Sequence, residues 1–193
     1  MLHALHFLAW IACVIYSTIP TFWLLIHPRA ENWRSRSTSP YKILLPLWSA
    51  MWIAMAATTF RWRNLQLYKN NLTWIPALAL LITGMILYKL AHHKFTLTQL
   101  GGLPELLAGH EHQPLATTGI RAHIRHPIYL AHLFEMLAWS IGTGLAACYA
   151  LTAFAIVTGT VMIRMEDAEL LKRFGQKYAN YRNAVPAVIP RFF

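Results

Sequence analysis

Charged side chains are scarce in this chain of 193 residues. Asp, Glu, Lys and Arg make up 12% of it and hydrophobic residues 56%, whereas about 25% of the residues in a soluble domain are charged. So few charged residues exclude a water-covered globular domain of this length. The sequence therefore predicts an all-α integral membrane protein, and its length predicts a single membrane domain over residues 1–193.

Acidic residues are the scarcer charged type, with 7 Asp and Glu against 17 Lys and Arg. A basic excess can indicate nucleic-acid binding, but the chain has no basic stripe and no nucleic-acid-binding motif. Basic residues beside apolar segments more often set membrane topology and contact anionic lipid headgroups. We therefore expect membrane lipids as partners and no nucleic acid.

Cysteine and the common nucleotide-binding motifs are also nearly absent. The two cysteines, Cys13 and Cys148, lie in apolar stretches, so no disulfide framework is predicted. The chain has no G-x-G-x-x-G, Walker A or G-x-S-x-G pattern, which excludes a Rossmann, P-loop or α/β-hydrolase site. Histidines at 92–93 and at 110 and 112 match no standard zinc spacing, and we predict no metal.

Long apolar runs are what the chain does contain. Three runs of about the length of a membrane span occupy residues 1–91, at 2–27, 43–60 and 72–91. The 37 residues 127–163 contain no Lys or Arg, and the glycines of IGTGL (141–145) suit a tight turn between two further spans. We therefore predict about five transmembrane helices, the last two forming a helical hairpin. A loop over 92–126 precedes the hairpin, and an amphipathic helix over 164–183 with a Pro-rich tail follows it.

The basic residues predict the orientation of these spans. The first and third connectors and the C-terminal region hold 14 of the 17 Lys and Arg residues, and such residues are enriched on the cytoplasmic side. The N-terminus is then outside, and the 92–126 loop and the C-terminus are cytosolic. We expect a bacterial-type inner membrane or its equivalent.

The entrance to the fourth span, Arg125-His126-Pro127, has the features of an anion site. Proline suits the first turn of a helix because its missing N–H would be unpaired there. The helix N-terminus favours an anion, and arginine adds a bidentate donor for a carboxylate or phosphate. The alternative is a snorkelling arginine beside an interfacial histidine.

Two ionisable residues lie inside the same span. His132 and Glu135 are three residues apart and share a helix face. Ionisable residues at membrane depth are costly and often functional. They are either part of a substrate site or a structural pair.

Two acids follow the fifth span. Glu166 and Asp167 lie one turn before Leu170 and Leu171, and Leu170 begins an apolar stripe that continues to Phe174 and the tyrosines beyond it. Acids on a buried face need a partner, which Arg125 or a cationic ligand would supply. The alternative places both acids in cytosolic water.

These segments resemble the isoprenylcysteine carboxyl methyltransferase family and the related integral-membrane phospholipid methyltransferases. The resemblance lies in TTGIRAHIRHPIYL (117–130), the apolar hairpin, and MEDAELLKRFGQKYANYRNAVPAVIP (165–190). Positions that match the family signature are Gly119, Arg125, His126, Pro127, Tyr129, Glu166, Asp167, Phe174, Gly175, Tyr178 and Tyr181. The match covers residues 112–190, about two fifths of the chain, and the first three spans agree in topology only.

The resemblance implies an S-adenosylmethionine-dependent methyltransferase with a cytosolic cofactor pocket and a lipophilic or lipid-linked acceptor that enters from the membrane. It implies catalytic roles for Arg125 and Glu166, with Glu166 paired with the cofactor's amino group or with Arg125. Its implied cofactor-binding residues are Gln113, Leu115, Gly119, Arg125, His126, Tyr129 and Glu166. We place His132, Glu135 and Asp167 in the acceptor site. A carboxylate acceptor needs no general base, whereas an amine or hydroxyl acceptor does.

The chain departs from the family pattern near the acceptor's expected path. Arg121, Ala122 and His123 replace aromatic-rich residues, Ala131 replaces a glycine and Asp167 replaces a second glutamate. The changes at 121–123 and at Ala131 lie near that path and weaken the case for a prenylated cysteine as the acceptor. Two alternative functions stay open, an NADPH-dependent sterol-type membrane reductase and a non-enzymatic membrane subunit on the same scaffold.

Overall fold

A computed structural model describes residues 2–92, 102–109 and 114–189 as a helical bundle. No β-strand occurs within these ranges, and one isolated antiparallel bridge joins Gln66 to Leu145. The helices are α1 (Leu2–Ile26), α2 (Ala30–Arg34), α3 (Tyr41–Thr59), α4 (Trp74–His92), α5 (Leu103–Leu106), α6 (Pro127–Thr143), α7 (Ala146–Phe174) and α8 (Gln176–Ala184).

Four segments of the described chain are helical, long and apolar enough to cross a membrane, and they contain α1, α3, α4 and α7. The chain is therefore an all-α integral membrane protein, as predicted. The predicted fourth span corresponds to α6, which has 17 residues, so the count of five spans stays a prediction.

The helices pack in two pairs, with α4 along α6 and α1 along α7, and α6 also contacts α7. The larger core lies where α1, α6 and α7 meet and includes Trp10, Cys13, Met136, Cys148 and Leu151. The outward faces of α3 and α4 are apolar and uncovered; Ile53, for example, is 70% exposed. Exposed apolar faces of this extent are the surface expected to contact lipid.

The predicted hairpin turn is present, and Gly144 makes it. Its φ is +68°, and its N–H donates to the Ser140 carbonyl at 2.9 Å, which ends α6. A Cβ at this position would lie 2.7 Å from the Tyr68 carbonyl oxygen, so a side chain is excluded both by the backbone conformation and by space.

The C-terminal region differs from the prediction of one amphipathic helix over 164–183. Helix α7 continues from the membrane span to Phe174 without a break, and the chain then turns at Gly175, whose φ is +55°. The prediction of one continuous apolar stripe from Leu170 to Tyr181 was therefore wrong. Because of the turn, α8 folds back toward α7, and Tyr178 is 1% exposed.

The segment after α8 holds the entrance to α6 in place. The backbone N–H groups of Arg125 and His126 donate to the carbonyls of Pro186 and Ala187, at 3.0 and 2.9 Å. The Tyr181 hydroxyl donates to the Arg121 carbonyl at 2.6 Å. The loop before α6 and the C-terminal region therefore meet, as predicted, through backbone contacts.

Candidate active site

The centre of the site is a buried cluster around Arg125, which is 8% exposed. Its Nη1 donates to Asp167 Oδ1 at 2.5 Å and to the Tyr178 hydroxyl at 3.0 Å. The Tyr178 hydroxyl also donates to Asp167. Burial and this hydrogen bond raise the pKa of Tyr178. The tyrosine therefore keeps its proton as the hydrogen-bond donor, and the aspartate carries the negative charge. This cluster joins α7 and α8 to the entrance of α6.

Glu166 lies between two histidines and does not pair with Arg125. Its Oε2 is 3.2 Å from His126 Nδ1 and 4.0 Å from His27 Nε2. Of the two partners predicted for Glu166, Arg125 is therefore not the one that it contacts; Asp167 pairs with Arg125 instead. The two acids are neighbours, and they turn to different cations because successive helical residues point about 100° apart.

His126 is the titratable group that connects the two acids. Its Nε2 lies 3.4 Å from Asp167 Oδ1, and it is 4% exposed. Burial disfavours the imidazolium, but the Glu166 and Asp167 carboxylates outweigh burial and raise the pKa of His126 to about 9. At neutral pH the site therefore contains two cations, Arg125 and His126, beside two anions.

A second ionic cluster closes the site from the loop side. Arg173 Nη1 lies 3.3 Å from Glu105 Oε1 and 3.7 Å from Glu169 Oε1, and Arg34 Nη1 also lies 3.7 Å from Glu169 Oε1. Burial raises the pKa of Glu105 to about 7 in spite of Arg173. This cluster ties α2 and α5 to α7. No motif in the sequence singles out Glu105 or Arg173.

Two neighbouring cavities open at this end of the bundle. The smaller, about 80 Å³, includes Leu115, Arg125, Arg173 and Tyr178 in its wall. The larger, about 440 Å³, is walled mainly by aromatic and aliphatic side chains of α1, α3, α4 and α6. Four residues line both cavities: Glu105, Arg121, His126 and Glu166.

The predicted cofactor residues lie in different parts of this site. Leu115, Arg125, His126 and Glu166 line the smaller cavity, and Tyr129 lines the larger. Gly119 begins a 3-10 turn, with φ +66° and open space around it, outside both walls. Gln113 lies outside the described residues, as do residues 93 and 110–112; among the residues described, no three metal-ligating side chains cluster.

The predicted acceptor residues are separated from one another. His132 lines the larger cavity, with its ring stacked on Tyr16 at 4.9 Å between centroids. Glu135 faces α4, where Gly84 leaves room for its Cγ, and Asp167 is held in the Arg125 cluster. Only His132 of these three borders the larger cavity.

Several buried polar atoms at the site make no hydrogen bond to a described residue. Within the described ranges, Arg125 Nε, His126 Nε2 and Glu166 Oε2 have no directed hydrogen bond. Such atoms are costly to bury and are rare without a role. A cationic donor and an anionic acceptor are both available, which fits a ligand that carries a carboxylate and an ammonium group.

Comparison with known proteins gives relatives among methyltransferases. No family model and no solved structure matches the chain. A protein-S-isoprenylcysteine O-methyltransferase of Rattus norvegicus is 29% identical over 148 residues, 72% of this chain and 48% of the rat protein. Protein-S-isoprenylcysteine O-methyltransferase B of Arabidopsis thaliana is 34% identical over 85 residues, 42% of this chain and 41% of that protein.

A third relative acts, by its name, on another acceptor. Methanethiol S-methyltransferase 2 of Bradyrhizobium diazoefficiens is 33% identical over 70 residues, 36% of this chain and 26% of the relative. The chain thus spans about half the length, or less, of these relatives. The comparisons confirm the predicted resemblance, and this chain is a relative of the isoprenylcysteine carboxyl methyltransferases, a group of membrane methyltransferases.

Proposed function

We propose that the chain transfers a methyl group from S-adenosylmethionine to a lipophilic acceptor at the cytosolic face of the membrane. The observation that carries this proposal is the junction of the two cavities. A small charged cavity and a large aromatic one share the walls made by Glu105, Arg121, His126 and Glu166. A methyltransferase of a lipid-soluble acceptor needs such a junction of a polar and an apolar site.

The charged cavity is suited to the zwitterionic end of the cofactor. Arg125 and His126 offer positive charge to its carboxylate, and Glu166 offers negative charge to its ammonium group. The cofactor supplies the activated methyl group. The protein's own residues bind and orient, and much of the rate enhancement comes from holding the reactants in the reactive geometry.

The larger cavity is suited to a lipophilic acceptor. Its volume of about 440 Å³ falls in the usual range for small-molecule sites. Phe22 stacks on Trp48 with ring centroids 4.8 Å apart, so this part of the cavity wall is apolar and its rings hold each other in place. The relatives' names give two acceptor chemistries, the oxygen of a prenylcysteine and the sulfur of methanethiol.

The cytosolic face is proposed from the distribution of basic residues. The charged end of the bundle carries Arg34, Arg125 and Arg173, and it is the end that the positive-inside rule assigns to the cytosol. The N-terminus is then outside. Thiol labelling of single cysteines placed at Ser37 and at Asn70, in intact cells, tests this: Asn70→Cys reacts with an impermeant reagent and Ser37→Cys does not.

Calorimetry of the purified protein in detergent tests the methyltransferase proposal. We expect S-adenosylhomocysteine to bind the wild-type protein, and Glu166→Gln to weaken binding at least tenfold because the cofactor's ammonium group loses its counter-charge. Glu31→Gln is the matched control, since Glu31 is exposed on α2; we expect it to bind as the wild type does. Binding of NADPH without binding of S-adenosylhomocysteine would contradict the proposal.

The acceptor is tested with methyl-labelled S-adenosylmethionine and a lipid extract. We expect label in a chloroform-soluble product, and none when Arg125→Ala replaces the wild-type protein. Label that stays entirely in the aqueous phase would show that the acceptor is not lipophilic.

A further inference from the structure

His27 is a buried histidine of the larger cavity with no hydrogen-bond partner in the part of the chain that the structure describes. It follows α1, is 5% exposed and lines the wall beside Trp23. Neither Nδ1 nor Nε2 makes a hydrogen bond to any residue described. By sequence, His27 is the last residue of the predicted first span, 2–27.

A purely structural role does not account for this histidine. A buried imidazole kept for packing is expected to satisfy at least one of its nitrogens, because an unsatisfied buried polar group costs about 1–3 kcal/mol. Its ring is instead fixed by stacking on Trp23, with 5.1 Å between centroids and 21° between planes. Its position is thus well defined and its nitrogens are left for a ligand.

Among the charged groups around His27, the Glu166 carboxylate is the one that favours uptake of a proton during a reaction. Nε2 lies 4.0 Å from Glu166 Oε2, whose other neighbour is His126 at 3.2 Å. Burial of the ring opposes this, as do the cations His126 and Arg173, on α7. A proton on Nε2 faces the carboxylate, which leaves the Nδ1 lone pair to accept a second proton.

We propose that His27 is the proton acceptor of the site, and that the methyl acceptor is a nucleophile that carries its proton until it reacts, of the thiol or amine class. This inference rests on the proposed methyltransferase function. A carboxylate acceptor is already ionised at neutral pH and gives such a base nothing to remove.

The bond changes balance without a further reagent. The acceptor's S–H or N–H bond breaks and its proton passes to His27, while the acceptor's electron pair forms the new bond to the methyl carbon. The bond from that carbon to the sulfonium sulfur breaks with its electron pair left on sulfur. The imidazolium beside Glu166 then returns its proton to water.

Three acceptors of equal chain length separate the acceptor classes: dodecanethiol, dodecylamine and dodecanoic acid, each with methyl-labelled cofactor. We expect wild-type protein to methylate the thiol or the amine, and which of the two reacts identifies the acceptor atom. Methylation of the acid alone overturns the inference. Methylation of none of the three, in a protein that binds S-adenosylhomocysteine, overturns it as well.

His27→Gln tests the residue, because glutamine keeps polarity but takes up no proton. We expect kcat to fall about 100-fold with the thiol or amine that the wild type methylates. Binding of S-adenosylhomocysteine, and acceptor binding followed without cofactor by tryptophan fluorescence, should change less than threefold. His6→Gln is the matched control, since His6 is a buried histidine near the other end of α1, about 30 Å away along the axis.

Two further measurements distinguish a base from a structural residue. If the thiol reacts, 4-octylthiophenol, an aryl thiol that ionises far more readily than dodecanethiol, should be methylated by His27→Gln within threefold of the wild-type rate. For either acceptor class, added imidazole should raise the activity of His27→Ala at least tenfold. An unchanged kcat in His27→Gln, equal losses with both thiols, or no imidazole rescue with intact cofactor binding would each overturn the role. If the wild-type protein itself does not bind S-adenosylhomocysteine, the proposed function is refuted instead.

Discussion

The two ends of the bundle satisfy their polar groups in opposite ways. At the end that holds the hairpin turn, Gln66 Nε2 donates to the Thr143 carbonyl at 2.9 Å, and the Tyr68 hydroxyl donates to the Ile141 carbonyl at 2.8 Å. These contacts are neutral and paired. At the other end the contacts are ionic, and Arg125 Nε and Glu166 Oε2 make no directed hydrogen bond to a described residue.

This difference separates stability from function. Neutral paired hydrogen bonds hold the connector between α3 and α4 onto the hairpin of α6 and α7 and leave nothing for a ligand. Unsatisfied charged atoms around a cavity cost free energy in the empty protein and return it when a charged ligand binds. Substitutions at the hairpin end should therefore change stability alone, and substitutions at the ionic end should change ligand binding.

The largest effect is expected for Arg125→Ala. It leaves Asp167 buried without its cation and removes positive charge from the cofactor cavity, and breaking a buried ion pair costs about 3–5 kcal/mol. We expect binding of S-adenosylhomocysteine to be lost in calorimetry and the thermal unfolding temperature in detergent to fall. Arg182→Ala, an exposed arginine of α8, should change neither. Normal cofactor binding by a folded Arg125→Ala protein would contradict the ionic end as the cofactor site.

Gly144→Ala should destabilise the protein without changing its ligand affinity. A side chain in the left-handed conformation, placed 2.7 Å from the Tyr68 carbonyl oxygen, should cost about 2–3 kcal/mol. Gly109→Ala is the control for backbone conformation alone, because Gly109 has φ +82° with nothing within 4 Å, and about 1 kcal/mol is expected. If Gly144→Ala and Gly109→Ala lower the free energy of unfolding by the same amount, the contact with Tyr68 contributes nothing.

The pH dependence of stability should reveal His126. Its pKa is raised to about 9 in the folded protein from about 6.5 in the unfolded chain. The stabilisation is therefore complete below pH 6.5 and is lost as the pH rises through 9, by up to about 3 kcal/mol. The pKa of Glu105 is raised to about 7, so its contribution to stability is lost over a lower pH range, as the pH rises to about 7. The interval above pH 7.5 therefore reports His126.

Thermal unfolding between pH 7.5 and 9.5 measures this slope. His126→Gln should flatten it, and His123→Gln should not, because His123 is exposed. An unchanged slope in His126→Gln would show that the imidazolium is not held by Glu166 and Asp167.

The smallest effect is expected in the aromatic cavity. Trp48→Ala removes the ring that stacks on Phe22, and the Trp48 Nε1 hydrogen bond to Thr18 Oγ1 at 3.0 Å. We expect the KM for the acceptor to rise about tenfold while cofactor affinity is unchanged, since this ring lines the larger cavity only. Ile53→Ala, on the lipid-facing side of the same helix, should leave both unchanged.

The general form of the molecule could be predicted because it depends on periodicity and composition. The apolar runs predicted the helices, and the glycines of 141–145 predicted the turn that Gly144 makes. The R-H-P sequence and the following acids indicated a cluster of opposite charges. Each of these signals lies within a few residues of the feature it specifies.

The pairing within the site could not be predicted in this way. Whether Asp167 or Glu166 meets Arg125 depends on the rotation of α7 and on the turn at Gly175, and adjacent acids give the same sequence signal. The contacts of Pro186 and Ala187 use backbone carbonyls, which every residue carries. His27 looked like the end of a span because its unpaired nitrogens are a property of the folded structure.

Photolabelling with radiolabelled S-adenosylmethionine tests the contrast between the two ends most directly. Ultraviolet irradiation of the purified protein, followed by peptide mapping, should place the label in residues 114–129 or 164–181, and excess S-adenosylhomocysteine should remove it. Label in residues 65–68 or 141–149, or label that S-adenosylhomocysteine does not displace, would contradict the assignment of the ionic end as the cofactor site.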